Sequence, residues 1–368
     1  MRLDSVAPPA DIRVLLLSRY PPLGASSRVR FYQYLEPLRR GGISVQVAPF
    51  FDDDYLPRRY TGRHVSLTSL LVAYARRLRR LLEAGRFDLV WIEYDVLPWV
   101  PMWIEARLLS RPYVVDYDDA MFVRYEEHPN RWLRALVADK IARIMRGAAA
   151  VTVGNERLAE YARQAGARRI EHYPCTIDLR QYPVQDQPAR GGPLVIGWMG
   201  SPSTAPYLRL AAPALRDICA DGRATFVAVG SGPLSLPGVP TQVRPWSIAS
   251  EVRDLASFDI GIMPLPDNAW TRGKSGYKLL QYMAACRPVV ASAVGANSRI
   301  VRLGQTGLLA NAEGQWLSAL RTLCGDPVLR AAMGRAGRAT VEERYDMNLV
   351  APRLRKLLEV VVAEHRPC

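Results

Sequence analysis

Two of the chain's four lysines, Lys274 and Lys278, stand four residues apart in a loop that runs into an apolar helical pattern, WTRGKSGYKLLQYMAA. Apart from Lys140 and Lys356, every other basic residue is arginine. A compact ammonium on a flexible stem meets a phosphate as a point charge. Ser275, Gly276 and Tyr277 would place backbone N–H groups at the N-terminus of the following helix, where unsatisfied donors and the macrodipole favour an anion. A glycine turn with solvated lysines capping a surface helix has the same pattern. These residues alone leave both readings open.

Four further loops carry polar or glycine-rich chemistry after apolar runs. In RYPPLGASSRVR (19–30), Gly24 and Ala25 allow a backbone close to a ligand. Arg28 and Arg30 would then occupy a helix's first turn, the unfavourable end for cations unless an anion is near; solvated arginines are the alternative. DYDD (116–119) brings Asp118 and Asp119 to a strand end, where they suit a base, a metal site or a grip on sugar hydroxyls. Glu93, beside Tyr94 and Asp95 and just ahead of Trp99 and Trp103, suits an acceptor sugar, and the aromatic residues equally suit a core. GWMGSPST (197–204) offers Gly200 and Ser201 in a tight turn before a helix, without the GxGxxG spacing of a dinucleotide loop.

The elements that must position these loops alternate between short apolar runs and helical patterns. Strands are expected at 13–18, 44–49, 89–93, 113–116, 149–153 and near 170–175, with helices at 27–40, 66–84, 103–109, 131–146 and 157–164. Residues 181–193 are rich in Pro, Gly and polar side chains, a linker by composition. A second series follows, with strands at 194–199, 225–229, 241–244, 260–263, 288–291 and 307–309. Its helices are expected at 207–220, 248–256, 277–285, 315–324, 328–343 and 347–363. The reading is α/β with two doubly wound domains, 1–182 and 194–346, joined by a linker at 183–193. In such sheets ligands bind beyond the carboxyl ends of the strands, here in a cleft between domains.

Composition limits the function classes. Hydrophobic residues make up 49% and charged ones 23%, a globular balance over 368 residues. The first ten residues and the last few are the expected loose ends, and residues 1–10 lack a signal-peptide core. No apolar run is long enough to span a bilayer. Five scattered cysteines without CxxC spacing and four histidines without HxxH spacing suggest neither disulfides nor zinc, so a reducing cytoplasm is expected. Net charge is +14, yet residues 1–182 hold 28 basic against 21 acidic side chains and the rest 21 against 14, so no separate basic domain emerges and no nucleic acid is expected. Residues 66–84, with leucines and Arg76, Arg77, Arg79 and Arg80, form a basic amphipathic helix. It could rest peripherally on anionic lipid at the inner membrane face or pack on its own sheet.

Together these parts resemble the family-4 group of retaining GT-B glycosyltransferases, which transfer a hexose from a nucleotide sugar. The likeness covers nearly the whole chain. It is strongest in GWMGSPST, VAVGSGP (227–233), DIGIMPLPDN (259–268) and GKSGYKLLQYMAACRPVVAS (273–292), and ERYDMNLVAPRLRKLL (343–358) is similar to that family's end. The resemblance implies facing Rossmann-like domains, with the helix at 347–363 returning to the first. The family's Glu-x7-Glu element falls on Gly273 and Gln281, and its usual glycine on Cys286. Gly273 then offers backbone to the donor hexose, and Gln281 an amide to the ribose hydroxyls. Lys274, Lys278 and Arg272 are the implied diphosphate cations, because GWMGSPST supplies none. The family's first-domain histidine falls near Asp118. The base is expected near Gly230–Gly232 and Arg244–Trp246, and the acceptor near Gly24 and Asp118, with Arg28, Arg30, Glu93 and Asp119 around it.

The implied reaction is retaining transfer from a nucleoside-diphosphate sugar to a glycan or lipid-linked acceptor, in surface polysaccharide or glycoconjugate synthesis. Fixed amides and ammonium groups would do the work of a metal ion, so neither metal nor other cofactor is expected. A sugar-nucleotide epimerase would need histidines this chain barely has. A non-catalytic nucleotide-sugar-binding scaffold draws support from Gly273 and Gln281.

Overall fold

The computed structural model describes residues 12–184 and 192–366. The expected loose N-terminus and most of the expected linker lie outside them. Two six-stranded sheets, parallel in every pairing, account for all twelve strands. The first runs β2-β1-β3-β4-β5-β6, with β1 at Ile12–Leu17, β2 at Ile43–Val47, β3 at Leu89–Glu93, β4 at Tyr113–Tyr117, β5 at Ala150–Val153 and β6 at Ile170–His172. The second runs β12-β11-β10-β7-β8-β9, with β7 at Leu194–Met199, β8 at Ala224–Val229, β9 at Thr241–Arg244, β10 at Ile260–Met263, β11 at Val289–Ala291 and β12 at Gly307–Leu309. Strands β3, β4, β5, β10 and β11 are buried along their whole length. That explains their continuous apolar runs: helices cover both faces of a parallel sheet.

Strand order reverses between β1 and β3 in the first sheet and between β7 and β10 in the second. At such switch points, neighbouring crossovers leave in opposite directions and open a crevice beyond the strand ends. The RYPPLGASSRVR loop follows β1, and GWMGSPST spans β7 and its exit, so both meet these crevices. The helix Tyr277–Ala284 is drawn against the second sheet, because Gly261 has no side chain to obstruct the Tyr282 ring. The Tyr282 hydroxyl lies 2.9 Å from the Met199 amide and 3.3 Å from the Ile262 carbonyl, so the helix is pinned to the ends of β7 and β10.

Two expected helices are broken, for one physical reason. The segment 27–40 divides into Ala25–Arg30, a 3₁₀ turn at Tyr32–Tyr34 and Leu35–Arg40; the segment 207–220 divides into a 3₁₀ stretch at Ala205–Leu210 and a helix at Ala212–Cys219. Each break puts a proline, Pro37 or Pro213, into the first turn of the next helix, where its missing N–H costs nothing. The segment 131–146 is likewise two helices, Arg131–Val137 and Lys140–Gly147, and nothing in the structure explains that break. Four short helices had no sequence signal: Tyr55–Tyr60, Met121–Glu126, Ala269–Arg272 and Asn297–Ile300. The last helix, Met347–His365, packs Leu354, Leu358 and Val361 against Val14, Leu16, Phe31 and Trp91 of the first sheet's layer. No helix among the described residues is long and apolar enough to cross a membrane.

The first domain also buries charge. The Lys140 side chain has no exposure, and its ammonium donates to Glu105 at 2.6 Å and to the Val100 carbonyl at 2.8 Å. Burial lifts the Glu105 carboxyl to about 7 against the downward pull of Lys140. Removing one partner of a buried pair strands the other charge. Lys140→Met should therefore destabilise the protein by roughly 3–5 kcal/mol, measured as the shift in denaturant midpoint. A change below about 1 kcal/mol would show that the pair behaves as a surface bridge.

Candidate active site

The carboxyl ends of the two sheets face each other across a cleft of about 1520 Å³. On the second-domain wall, Gly276 adopts φ +70, a left-handed turn that a side chain would strain and that the Ile300 side chain would obstruct. This turn starts the Tyr277–Ala284 helix without a side-chain cap. Among the described residues no acceptor takes the Ser275, Gly276, Tyr277 or Lys278 amides, so the helix N-terminus presents its donors. Lys274 and Lys278 both border the cleft. The Lys278 ammonium lies 5.0 Å from the Trp198 ring centroid and donates to Thr204 Oγ1 at 3.2 Å. Burial, with Lys274 beside it, draws Lys278 down to about 7, against the pull of Asp119.

The same wall carries Gly200, Ser201, Gly230, Trp246 and Gln281. Gly230 holds φ +76, and a side chain there would strike the Gly200 carbonyl. The backbone of both loops therefore forms the surface. Gln281 is buried, and its amide donates to the Tyr182 hydroxyl at 3.4 Å.

Asp118 and Asp119 form the opposite wall. Asp118 accepts from the Tyr94 hydroxyl. Burial, reinforced by Asp119, pushes the Asp118 carboxyl up to about 6. Tyr94 is held at φ 64 by its amide, which donates to the Asp116 carbonyl at 3.1 Å, and by its carbonyl, which accepts from Tyr117 at 2.7 Å. Asp119 pairs with Lys274 at 3.3 Å, Ser275 Oγ donates to the Asp118 carbonyl at 2.6 Å, and Asn155 Nδ2 donates to the Gly273 carbonyl at 2.7 Å. On the other side of the cleft, Arg28 reaches Glu251 at 3.0 Å and lies over the Trp246 ring. The domains are thus in contact on both flanks of the cleft.

A family model described as glycosyl transferase 4-like domain matches residues 10–175, and one described as glycosyl transferases group 1 matches residues 193–326. The chain belongs to the group 1 glycosyltransferases of GT-B fold. A sucrose-phosphate synthase of Thermosynechococcus elongatus superposes with TM-score 0.75 at 16% identity, over 96% of this chain and all of that one. Anabaena HepE in complex with UDP and glucose superposes with TM-score 0.71 at 17% identity, over 95% of this chain and all of that one. Among curated proteins, a D-inositol 3-phosphate glycosyltransferase of Pseudarthrobacter chlorophenolicus is 31% identical over 124 residues, which span 33% of this chain and 26% of that protein.

Five residues expected in this glycosyltransferase's site lie away from the cleft walls. The space beside Gly24 is filled by the Tyr20 side chain, so its glycine serves packing. Arg30 is buried, paired twice with Asp116 at 2.6 and 2.8 Å and donating to the Tyr173 carbonyl; despite burial, Asp116 holds its guanidinium well above its ordinary value. Glu93 is buried and accepts from the Arg19 amide and Ser27 Oγ, both at 2.6 Å; burial raises its carboxyl to about 8. It anchors the loop after β1 and is not among the residues lining the cleft. Arg272 points to Asp267 at 2.6 Å on the surface. Gly273 abuts Ala120 of the first domain, with no room for a side chain.

Arg28 does line the cleft, but clasped to Glu251. Sequence reasoning missed Tyr60, Thr61, Arg124, Trp270 and Tyr207, which also border it. Trp270 carries Arg124 at 5.0 Å and Lys274 at 5.4 Å from its ring centroid. Glu251, in the first turn of the helix Glu251–Ala256, was missed too, since its partner Arg28 is 223 residues away.

Lys278 generates a pH prediction. A bound diphosphate favours the charged ammonium, so binding a nucleoside-diphosphate sugar, whose phosphates do not titrate near neutrality, should take up a proton at pH 7–8. Affinity should fall as pH rises through about 7 and beyond. Calorimetry in buffers of different ionisation enthalpy should register the uptake in the wild type and lose it in Lys278→Ala. Equal enthalpies in all buffers would place the cation elsewhere.

Proposed function

We propose that this glycosyltransferase moves a hexose, with retention, from a nucleoside-diphosphate sugar to a glycan or lipid-linked acceptor in the synthesis of a surface polysaccharide or glycoconjugate. The observation that carries the reading is the cradle at 274–278: unaccepted amides at a helix N-terminus with two ammonium groups, opening on the interdomain cleft. The diphosphate lies in this cradle, with the nucleoside along Gly230 and Trp246 and the hexose between Lys274 and Asp118. Cleavage of the C1–O bond leaves charge on the diphosphate, which fixed donors stabilise without reorganising. The acceptor oxygen bonds to C1 on the face the diphosphate leaves, and its proton passes to the departing phosphate. Asp118 and Asp119 take sugar hydroxyls on the first-domain side. Contact between the domains excludes water from the reacting atoms.

The cations make the reaction independent of a divalent metal. The UDP and UDP-glucose complexes of Anabaena HepE make UDP-hexoses the first donors to test. Turnover over a panel of nucleotide sugars should give slow nucleotide release that EDTA does not abolish. Lys278→Ala should lower it by about 100-fold or more, the scale for one lost transition-state donor. Tight nucleotide binding without release under any acceptor would favour a non-catalytic sugar-nucleotide-binding scaffold.

The helix Leu67–Leu82 supports peripheral contact with the inner membrane face. Its Leu67, Leu71, Leu78 and Leu82 are exposed and fall on one stripe, with Arg79 beside it. Arg77, expected among the surface cations, is instead buried and donates to the Ser18 carbonyl at 2.6 Å. Leu71→Glu with Leu82→Glu should abolish co-sedimentation with anionic vesicles while leaving turnover on a soluble acceptor intact. Unchanged co-sedimentation would exclude this stripe.

A further inference from the structure

Glu251 is the one cleft carboxylate to which the proposed reaction gives no role. It opens the helix Glu251–Ala256 and edges the cleft beside Trp246, its side chain 11% exposed. Its Oε2 accepts two N–H donors, Arg28 Nη2 at 3.0 Å from the first domain and Trp246 Nε1 at 2.9 Å. Its other oxygen has no hydrogen-bond partner among the described residues. The remaining cleft carboxylates are engaged on the far flank, Asp118 by Tyr94 and Asp119 by Lys274. Tyr277 and Gln281 line the same cleft as Glu251, and the Gln281 amide donates to the Tyr182 hydroxyl at 3.4 Å.

The chemistry of a nucleoside fits this position. With the diphosphate against Lys278, the chain of atoms running along the second-domain wall towards Trp246 reaches the ribose before the base. The ribose offers two adjacent hydroxyl donors, and a carboxylate with a free oxygen is their best-matched acceptor. The Gln281 amide oxygen is uncharged and makes the weaker alternative. We propose that Glu251 reads the donor's ribose, accepting from its 2′ and 3′ hydroxyls, while Arg28 and Trp246 hold the carboxylate in place. This rests on the cleft being a nucleotide-sugar site. It also makes one side chain common to donor recognition and to the contact between domains.

Calorimetric titration of the full chain with UDP and GDP, and with their 2′-deoxy forms, tests the assignment. The ribonucleotide that binds should do so about tenfold more tightly than its 2′-deoxy counterpart, the scale for a hydrogen bond to a charged group. The near-isosteric Glu251→Gln should bring the two forms to within about twofold of each other, and adding Gln281→Glu should restore the preference. Equal binding of ribo and deoxy forms by the wild type overturns the inference without any variant. So does a Glu251→Gln protein that binds both forms more weakly at an unchanged ratio, since that marks a partner of Arg28 only. Binding of neither UDP nor GDP by the wild type would overturn the donor reading and this inference with it, a result distinct from loss of ribose discrimination alone.

Discussion

Lys274 reaches Asp119 across the cleft at 3.3 Å, one residue from where Ser275 Oγ donates to the Asp118 carbonyl at 2.6 Å. The ion pair keeps some solvent exposure on both sides, so another anion can compete for the ammonium. The neighbouring contacts, Ser275 to Asp118 and Asn155 to Gly273, involve no charge and set the spacing between the two strand-end faces. Arrival of a diphosphate can then release Asp119 from Lys274 without parting the walls. The carboxylate becomes available on the side opposite the departing charge. On this flank the wall spacing is set by neutral hydrogen bonds, and the Lys274–Asp119 pair is left free to respond.

The first domain spends much buried charge on making its wall rigid. Arg19 pairs with Asp95 at 3.3 Å beneath the loop after β1, and Arg77 reaches the Ser18 carbonyl from the Leu67–Leu82 helix. Glu93 fastens that loop through the Arg19 amide and Ser27, while Lys140 and Glu105 sit behind it. Buried ion pairs add little net stability against apolar replacements, because desolvation consumes the attraction. Their consequence here is positional. They fix the strand ends so that Tyr94, at an unfavourable φ of 64, delivers its hydroxyl to Asp118. Surface leucines on the same helix and the wall of the cleft are thus linked through one guanidinium, that of Arg77.

The fold was legible wherever a buried parallel strand wrote an unbroken apolar run, as in β3, β4 and β10. It was also legible where proline, glycine and polar residues clustered between the two series. Helix continuity was not, because periodicity continues through Pro37 and Pro213 although the backbone cannot. The turn into the Tyr277–Ala284 helix could be read, because Gly276 stands just ahead of an apolar helical pattern and takes the left-handed conformation there. The first-domain arginines could not be assigned: Arg28 and Arg30 are two residues apart, and one lines the cleft while the other lies under it, paired with Asp116. That difference depends on which helix face meets the sheet, and a six-residue helix is too short to show it. Glu251 was obscured for the same kind of reason, since its partner belongs to the other domain.

The departures at 273, 281 and 286 form a pattern once the structure is considered. Cys286 stands where the family carries glycine and holds φ 58, so the backbone turn is retained although the residue that most easily adopts it is gone. Gly273 lies against Ala120, and a glutamate there would be driven into the first domain. The space is taken by Ala120, which caps the helix Met121–Glu126 and directly follows Asp118 and Asp119. The acid missing from the second-domain wall has a counterpart one contact away on the first-domain wall, at Asp119 against Lys274. Gln281 and Glu251 are a parallel case, an amide in the helix after the cradle with a carboxylate beside it on another element. Both exchanges leave the cleft with its cations and its acids while changing which backbone element carries the acids.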